Sequence, residues 1–200
     1  MNSARAVRSV ASVAFPVAVG YVLGSIPTAD LVSRRRLVDL RRVGDGNPGY
    51  WNARETLGRR AALPVLAGDL AKGAAAAAFG RICASGDWRP PVTGTAAAMV
   101  GHAWPVFAGF RGGRAVATFI GGALVMSPRS GVAAVGAGAL VGLAARSFPR
   151  AVHAGFIAYP VVQLLREGPV RTAATGALMT FIGLRFLTAR TPDRASGGAA

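Results

Sequence analysis

The residue types able to do chemistry in this chain fall in three places, two glycine-rich basic segments and one charged pair set in an apolar run. Arg111, Gly112, Gly113 and Arg114 form a short turn directly ahead of an apolar stretch that begins near Ala115. Backbone N–H groups at a helix start, flanked by two guanidinium groups, are what a phosphate needs. The turn matches neither a Walker loop, since Gly-Lys-Ser/Thr is absent, nor a dinucleotide fingerprint. His102 and Trp104 stand at the end of the preceding apolar run, and Thr118 follows in the next one. Upstream, Arg34 to Arg60 is the longest polar segment and contains RRVGDGNPGYWNARETLGRR. Gly44, Gly46 and Gly49, with Asn47, Asn52 and Pro48, give a backbone that turns tightly and presents several N–H groups toward one point. That suits an anion, although a solvated turn with topology-fixing arginines has the same composition. Asp69 and Lys72, three apart in GDLAKG, share one helix face and can pair. Charges inside an apolar run are costly, so the pair marks either function or a structural strut between the two loops.

The elements that carry these residues are apolar helices. Charge-free stretches run from Ser9 to Ala29, Pro90 to Phe110, Ala115 to Pro128, Ser130 to Ala145, Ala151 to Leu165 and Thr172 to Leu184, and another, Ala61 to Gly80, is broken only by Asp69 and Lys72. A span takes about 20 residues, and the short later stretches reach that length only with snorkelling arginines at their flanks. The expected fold is therefore all-α, a polytopic membrane bundle of about seven transmembrane helices. Alternating Gly and Ala, as from Gly136 to Ala139, lets helix backbones approach closely where lipid gives no hydrophobic drive. Pro16, Pro64, Pro105 and Pro160 are expected to kink or end helices. Arg5 and Arg8 ahead of an apolar run imitate a signal peptide, but the run continues to Ala29 and reads as a retained first span.

Composition agrees. Half the chain is apolar, with a net charge of +15 carried by 22 arginines and one lysine against eight acids. A soluble domain is excluded on these grounds. The arginines cluster between apolar runs rather than along a polar face, which fits topology and anionic lipid better than nucleic acid. In a seven-span arrangement one side carries fifteen of the basic loop residues and the other seven. The positive-inside rule then sets the N-terminus outside and the C-terminus in the cytoplasm, with the working loops at the cytoplasmic face. One domain is expected over residues 1–190, and a disordered tail over residues 191–200. Cys83 is a lone cysteine and His102 and His153 are far apart in sequence, so neither a disulfide nor a metal is expected.

In order and spacing, these clusters resemble the bacterial acyl-phosphate:glycerol-3-phosphate acyltransferase family, integral membrane enzymes of phospholipid synthesis. The likeness begins with GSIP at Gly24 to Pro27, continues through DLRRVGDGNPG, NARETLGRRA and GDLAKG, and ends with GHAWPVFAGFRGGRAVAT at Thr118. The resemblance implies transfer of an acyl group from acyl phosphate to the 1-hydroxyl of glycerol 3-phosphate, giving lysophosphatidate and phosphate in the plasma membrane, with no cofactor. It implies a substrate-binding set of Gly44, Gly46, Asn47, Gly49, Asn52, Arg54, Arg111, Gly112, Gly113, Arg114 and Thr118. Asp45 stands where the family has serine, and Glu55 where it has arginine, with Arg54 one place early, about 100° around a helix. Arg111 and Arg114 replace lysines and Ala115 replaces a glycine. The family's third motif has only Arg185 and Arg190 as loose counterparts. An acyl phosphate is already activated, so positioning and neutralisation of developing charge can supply the acceleration without a nucleophile. The acceptor's proton is left to His102, Asp45 or a substrate phosphate. The acids at 45 and 55 also fit a second reading, the same fold with a neutral polyol as acceptor, and a third is a non-catalytic lipid-binding or assembly protein that retains the bundle.

Overall fold

The computed structural model describes residues 3–84 and 86–188, with side-chain surroundings from residue 13 onward. Among these residues the chain is helical without strands, in nine α-helices and one 3-10 turn. They are α1 (Ser3–Gly24), α2 (Thr28–Arg34), α3 (Tyr50–Leu57), α4 (Arg59–Cys83), α5 (Arg89–Ala103), the 3-10 turn Val106–Ala108, α6 (Val116–Met126), α7 (Pro128–Ala145), α8 (Phe148–Glu167) and α9 (Pro169–Thr188). The seven longer helices fill the seven apolar stretches. Three segments are long and apolar enough to cross a membrane by themselves, Val13–Arg34, Arg59–Cys83 and Pro128–Ala145. The expected tail from Thr191 lies outside the described residues.

Close backbone approach holds the bundle together. A Cβ on Gly24 would run into the backbone of Ala98, joining α1 to α5, and one on Gly73 or Gly121 would strike the carbonyl of Thr118 or Leu70, joining α4 to α6. Small residues at these crossings gain dispersion contacts that bulkier ones would forbid. Three of the four prolines expected to interrupt helices do not end them. Pro16, Pro64 and Pro160 lie inside α1, α4 and α8, where neighbouring helices can take over the freed backbone groups. Pro105 does mark an end, between α5 and the 3-10 turn.

The polar segment after α1 is not one open loop. Pro27 separates α1 from the short α2, and α3 sits inside the glycine-rich stretch, starting from extended Gly49 and stopping at Gly58 with φ +87°. Leu40, Ala53, Ala62 and Val65, all nearly inaccessible, form a satellite core that binds this segment to α4. The main core lies among α5, α6, α8 and α9 around Met99, Phe119, Tyr159 and Ile182.

Candidate active site

Asp69 is the buried centre of the site. It sits on α4 with 2% exposure, and Lys72, one turn later, places its Nζ 2.9 Å from Oδ1. Thr28, at the start of α2, donates its hydroxyl to the same oxygen at 2.5 Å, and Lys72 also donates to the Ile26 carbonyl at 3.2 Å. His102, in the last turn of α5, brings Nδ1 to 3.5 Å from Asp69 Oδ1. The pair expected on one helix face therefore forms, and it braces the α1–α2 corner and α5 as well.

The first loop is built around Asn52 and Arg41. Asn52 is fully buried and its amide donates to the carbonyls of Leu40 (2.8 Å) and Val43 (2.9 Å). A Cβ on Gly44, at φ +61°, would collide with the Asn52 side chain. Asn52 thus shapes the loop with its amide, and Gly44 lets the chain pass close beside it. Arg41 makes a bidentate pair with Asp30, at 2.6 and 2.9 Å, and its Nε donates to the Arg111 carbonyl at 2.8 Å, tying the first loop to the second. Arg54 stacks on Trp51, 5.0 Å from the ring centre, and Trp51 stacks in turn on Phe148. Glu55 is solvent-exposed.

The second loop differs from its expected role in one respect. The N–H groups of Gly112 and Gly113 donate to the carbonyls of Ala103 and His102, both at 3.1 Å, so they are not open to a phosphate. The unpaired donors are those that every helix leaves in its first turn, here at the start of α6 just after Ala115. Arg111 is exposed, whereas Arg114 turns inward, its guanidinium 2.6 Å from the Asp45 carboxylate and 4.5 Å from the Phe186 ring centre. Asp45 Oδ1 accepts from the Asn47 N–H at 3.1 Å. Arg185 of α9 reaches the carbonyls of Gly113 and Gly112 with long hydrogen bonds of 3.3 and 3.4 Å and stacks over Trp104. Thr118 is fully buried between α4 and α6 and its hydroxyl has no partner among the described residues. It packs the scaffold and lines neither of the cavities described below.

Ala115 takes φ +61° ahead of α6, a conformation that favours glycine. Its methyl is 1% exposed, so burial worth about 0.8 kcal/mol offsets a left-handed strain of about 1 kcal/mol. Ala115→Gly should leave the thermal midpoint in detergent nearly unchanged, while Ala115→Val, branched at Cβ, should lower it clearly. A midpoint unchanged in the valine variant would show that residue 115 is not held left-handed.

Two cavities meet at these residues. A polar one of about 120 Å³ is lined by Asp45, Gly46, Asn47, Gly112, Arg114, Arg185 and Thr188. A larger, mainly apolar one of about 350 Å³ runs from Asp69, His102 and Arg114 past Ala115 to Ala117 and Ile120 to Trp51, Phe148 and Phe186, with Gly49 on its wall. Asn47 and Arg114 line both. The two histidines, far apart in sequence, line the larger cavity together. Asp45, Gly46, Asn47, Gly49, Asp69, His102, Gly112 and Arg114 are thus brought together, whereas Gly44, Asn52, Arg54, Arg111, Gly113 and Thr118 lie around them; Gly113 borders only a water-sized gap beside His102. Thr28, one residue past the GSIP stretch, and the Phe148 and Phe186 walls were not singled out from the sequence, and Arg185 only as a loose counterpart of a motif.

The comparisons with known proteins bear on this geometry. A family model described as glycerol-3-phosphate acyltransferase matches residues 14–191. A glycerol-3-phosphate acyltransferase of Rubrobacter xylanophilus is 39% identical over 154 residues, covering 77% of each chain. Glycerol-3-phosphate acyltransferase 5 of Dehalococcoides mccartyi is 41% identical over 142 residues, 70% of this chain and 60% of that one. Among solved structures, PlsY (YgiH), an integral membrane glycerol 3-phosphate acyltransferase, in its glycerol 3-phosphate form superposes with a TM-score of 0.76 at 30% identity, covering 88% of both chains. Its lysophosphatidic acid form gives 0.73 at 28% identity, over 90% of this chain and 94% of that one.

Proposed function

This chain belongs to the glycerol-3-phosphate acyltransferase family, and from that premise we propose how it carries out acyl transfer in the membrane. The donor is an acyl phosphate and the acceptor the 1-hydroxyl of glycerol 3-phosphate; the products are lysophosphatidate and inorganic phosphate. One observation carries the reading. A polar cavity of about 120 Å³ and an apolar one of about 350 Å³ share the Arg114 guanidinium and Asn47. Glycerol phosphate occupies the first, against Arg114 and Arg185. The donor's chain lies along Trp51, Ile120, Phe148 and Phe186 in the second, with its phosphate at Arg114 and the open first turn of α6. The two substrates then meet at one guanidinium, which neutralises the charge that develops as phosphate leaves. Gly44, Asn52 and the Arg41–Asp30 pair hold the loops in place.

The same reading makes residues 1–190 one membrane domain of the plasma membrane, with seven crossings and the site facing the cytoplasm. Eleven-residue α6 spans roughly 16 Å by itself, so it crosses only with help from the loop before it. A reporter fused after Ala200 should register as cytoplasmic; a periplasmic signal removes either one crossing or the inward-facing site.

The activity is tested with purified protein in detergent, acyl phosphate and labelled glycerol 3-phosphate. Lysophosphatidate and phosphate should appear in equal amounts. Release of phosphate without labelled lipid would mean a different acceptor, and release of neither would sink the reading.

A further inference from the structure

Away from the site, two arginines from different helices meet at one groove. Arg129, in the first turn of α7, and Arg166, in the last turn of α8, line a groove of about 730 Å³ together with Pro128, Val132, Ala133 and Val162. Phe148, at the start of α8, borders the apolar cavity of the site, and the helix rises roughly 27 Å from there to Arg166, close to the thickness of a hydrocarbon core. The groove therefore lies at the membrane face away from the working loops, and it shares no residue with either cavity of the site. Arg89 and Arg171 at the same face lie over the Trp88 ring and 3.9 and 3.6 Å from Asp87 and Glu167. Arg129 and Arg166 are exposed, and their guanidinium groups make no ion pair or hydrogen bond among the described residues.

A buried polar network holds the two arginine-bearing helix ends together. The hydroxyl of Ser127, two residues before Arg129, donates to Glu167 Oε2 at 2.8 Å, and Gln163 Nε2 donates to Ser127 Oγ at 2.9 Å. The Thr175 hydroxyl of α9 donates to Gln163 Oε1, and both of these residues are buried. Helices α7 and α8 also touch closely where Gly138 meets Ala151 and Gly155 meets Ala134. The ends cannot separate without breaking buried hydrogen bonds, so the groove is formed in advance of any ligand. Val132 and Ala133 lie about one turn deeper than Arg129, and Val162 one turn deeper than Arg166. Two guanidinium groups at headgroup depth above an apolar floor have the form of a lipid phosphate above its chain. We propose that this groove binds one anionic phospholipid of the leaflet away from the working loops, its phosphate between Arg129 and Arg166 and an acyl chain along Val132, Ala133 and Val162. The first-turn N–H groups of α7 add to the positive potential there. A zwitterionic lipid brings an ammonium group beside the two cations, and free phosphate has no chain for the floor. The site stands apart from the acyl-transfer reading.

The test titrates purified protein in detergent with phosphatidylglycerol or phosphatidylcholine and counts bound lipids by native mass spectrometry. Wild type should hold one phosphatidylglycerol roughly 30-fold more tightly than phosphatidylcholine, the combined effect of two basic residues on an anionic headgroup. Arg129→Gln with Arg166→Gln should erase that preference for one bound lipid while acyl transfer in detergent stays within about threefold of wild type. Val132→Trp fills the floor with both charges in place and should weaken the same lipid about tenfold. Arg81→Gln, at an exposed arginine of the same face outside the groove, should leave it bound. Equal loss in Arg81→Gln would reduce the effect to diffuse surface charge and overturn the proposal. So would unchanged lipid binding in the double arginine variant, or full binding in Val132→Trp. Displacement of the lipid by millimolar inorganic phosphate would make the groove an anion site without a lipid. Loss of a dimer, rather than of lipid, in the double variant would give the groove to a second copy of the chain.

Discussion

Arg114→Ala should lower kcat/KM for acyl transfer by about 100-fold or more, while Arg111→Ala should cost less than about tenfold, although the two arginines bracket the same glycine pair. The asymmetry comes from where each side chain points. Arg111 is exposed, and what it gives the site is its carbonyl, held by Arg41. Arg114 is drawn inward, lines both cavities and is the closest partner of Asp45. Its removal deletes a charge-assisted contact worth roughly 1.5 to 3 kcal/mol and leaves the Asp45 carboxylate bare in the cavity proposed for phosphate. Both effects act against the substrate, so the loss exceeds that of one hydrogen bond. Arg114→Lys keeps the charge on a flexible stem and should retain activity within about tenfold of wild type. The check is steady-state turnover of acyl phosphate for the three single variants and the Arg111→Ala, Arg114→Ala pair, which should behave like Arg114→Ala alone. Equal losses from Arg111 and Arg114 would place the donor's phosphate on the exposed side of the loop.

Much of this was legible because membrane helices write themselves as charge-free runs. Each of the seven longer helices occupies one of the apolar stretches, and the spacing of Asp69 and Lys72 gave their pairing correctly. What the sequence hid depends on the direction of single residues. Asn52 looks like a ligand in a motif, yet its amide closes the loop on Leu40 and Val43. Gly112 and Gly113 look like open donors, but left-handed residues at Gly109, Phe110 and Ala115 fold the turn back so that their N–H groups meet the end of α5. Phe110 and Ala115 carry no composition signal for that conformation. Helix α3 was hidden for a different reason. It has eight residues, too few for a periodicity to show, and its stability comes from Ala53 and Leu40 packing on α4. Arg185 was visible only as a loose counterpart because its role is set by α9 packing beside the second loop, 72 residues away in the chain.

Asp45→Ser should lower the KM for glycerol 3-phosphate by roughly tenfold without reducing kcat, the gain expected from releasing one charge-assisted contact on Arg114. In the free protein the Asp45 carboxylate sits 2.6 Å from that guanidinium, in the wall of the polar cavity where a phosphate would bind. A substrate phosphate must displace it or accept a like charge beside it, and either costs affinity. Serine keeps a hydrogen-bonding group and removes the charge. Glu55 is the second acid in this loop, but it is exposed on α3 and forms no ion pair among the described residues, so Glu55→Arg should change KM less than about threefold. The double variant should therefore match Asp45→Ser, and this separates the two positions that sequence alone treats alike. The opposite result has a distinct meaning. If Asp45 orients the hydroxyls of a neutral polyol, Asp45→Ser should destroy transfer to that acceptor, and lysophosphatidate formation should be poor in the wild type and rise only in the variant. Measuring lipid products from wild type and the three variants, against glycerol 3-phosphate and uncharged polyols in parallel, decides between a site in which Arg114 and Arg185 outweigh one carboxylate and a site whose carboxylate has changed the acceptor.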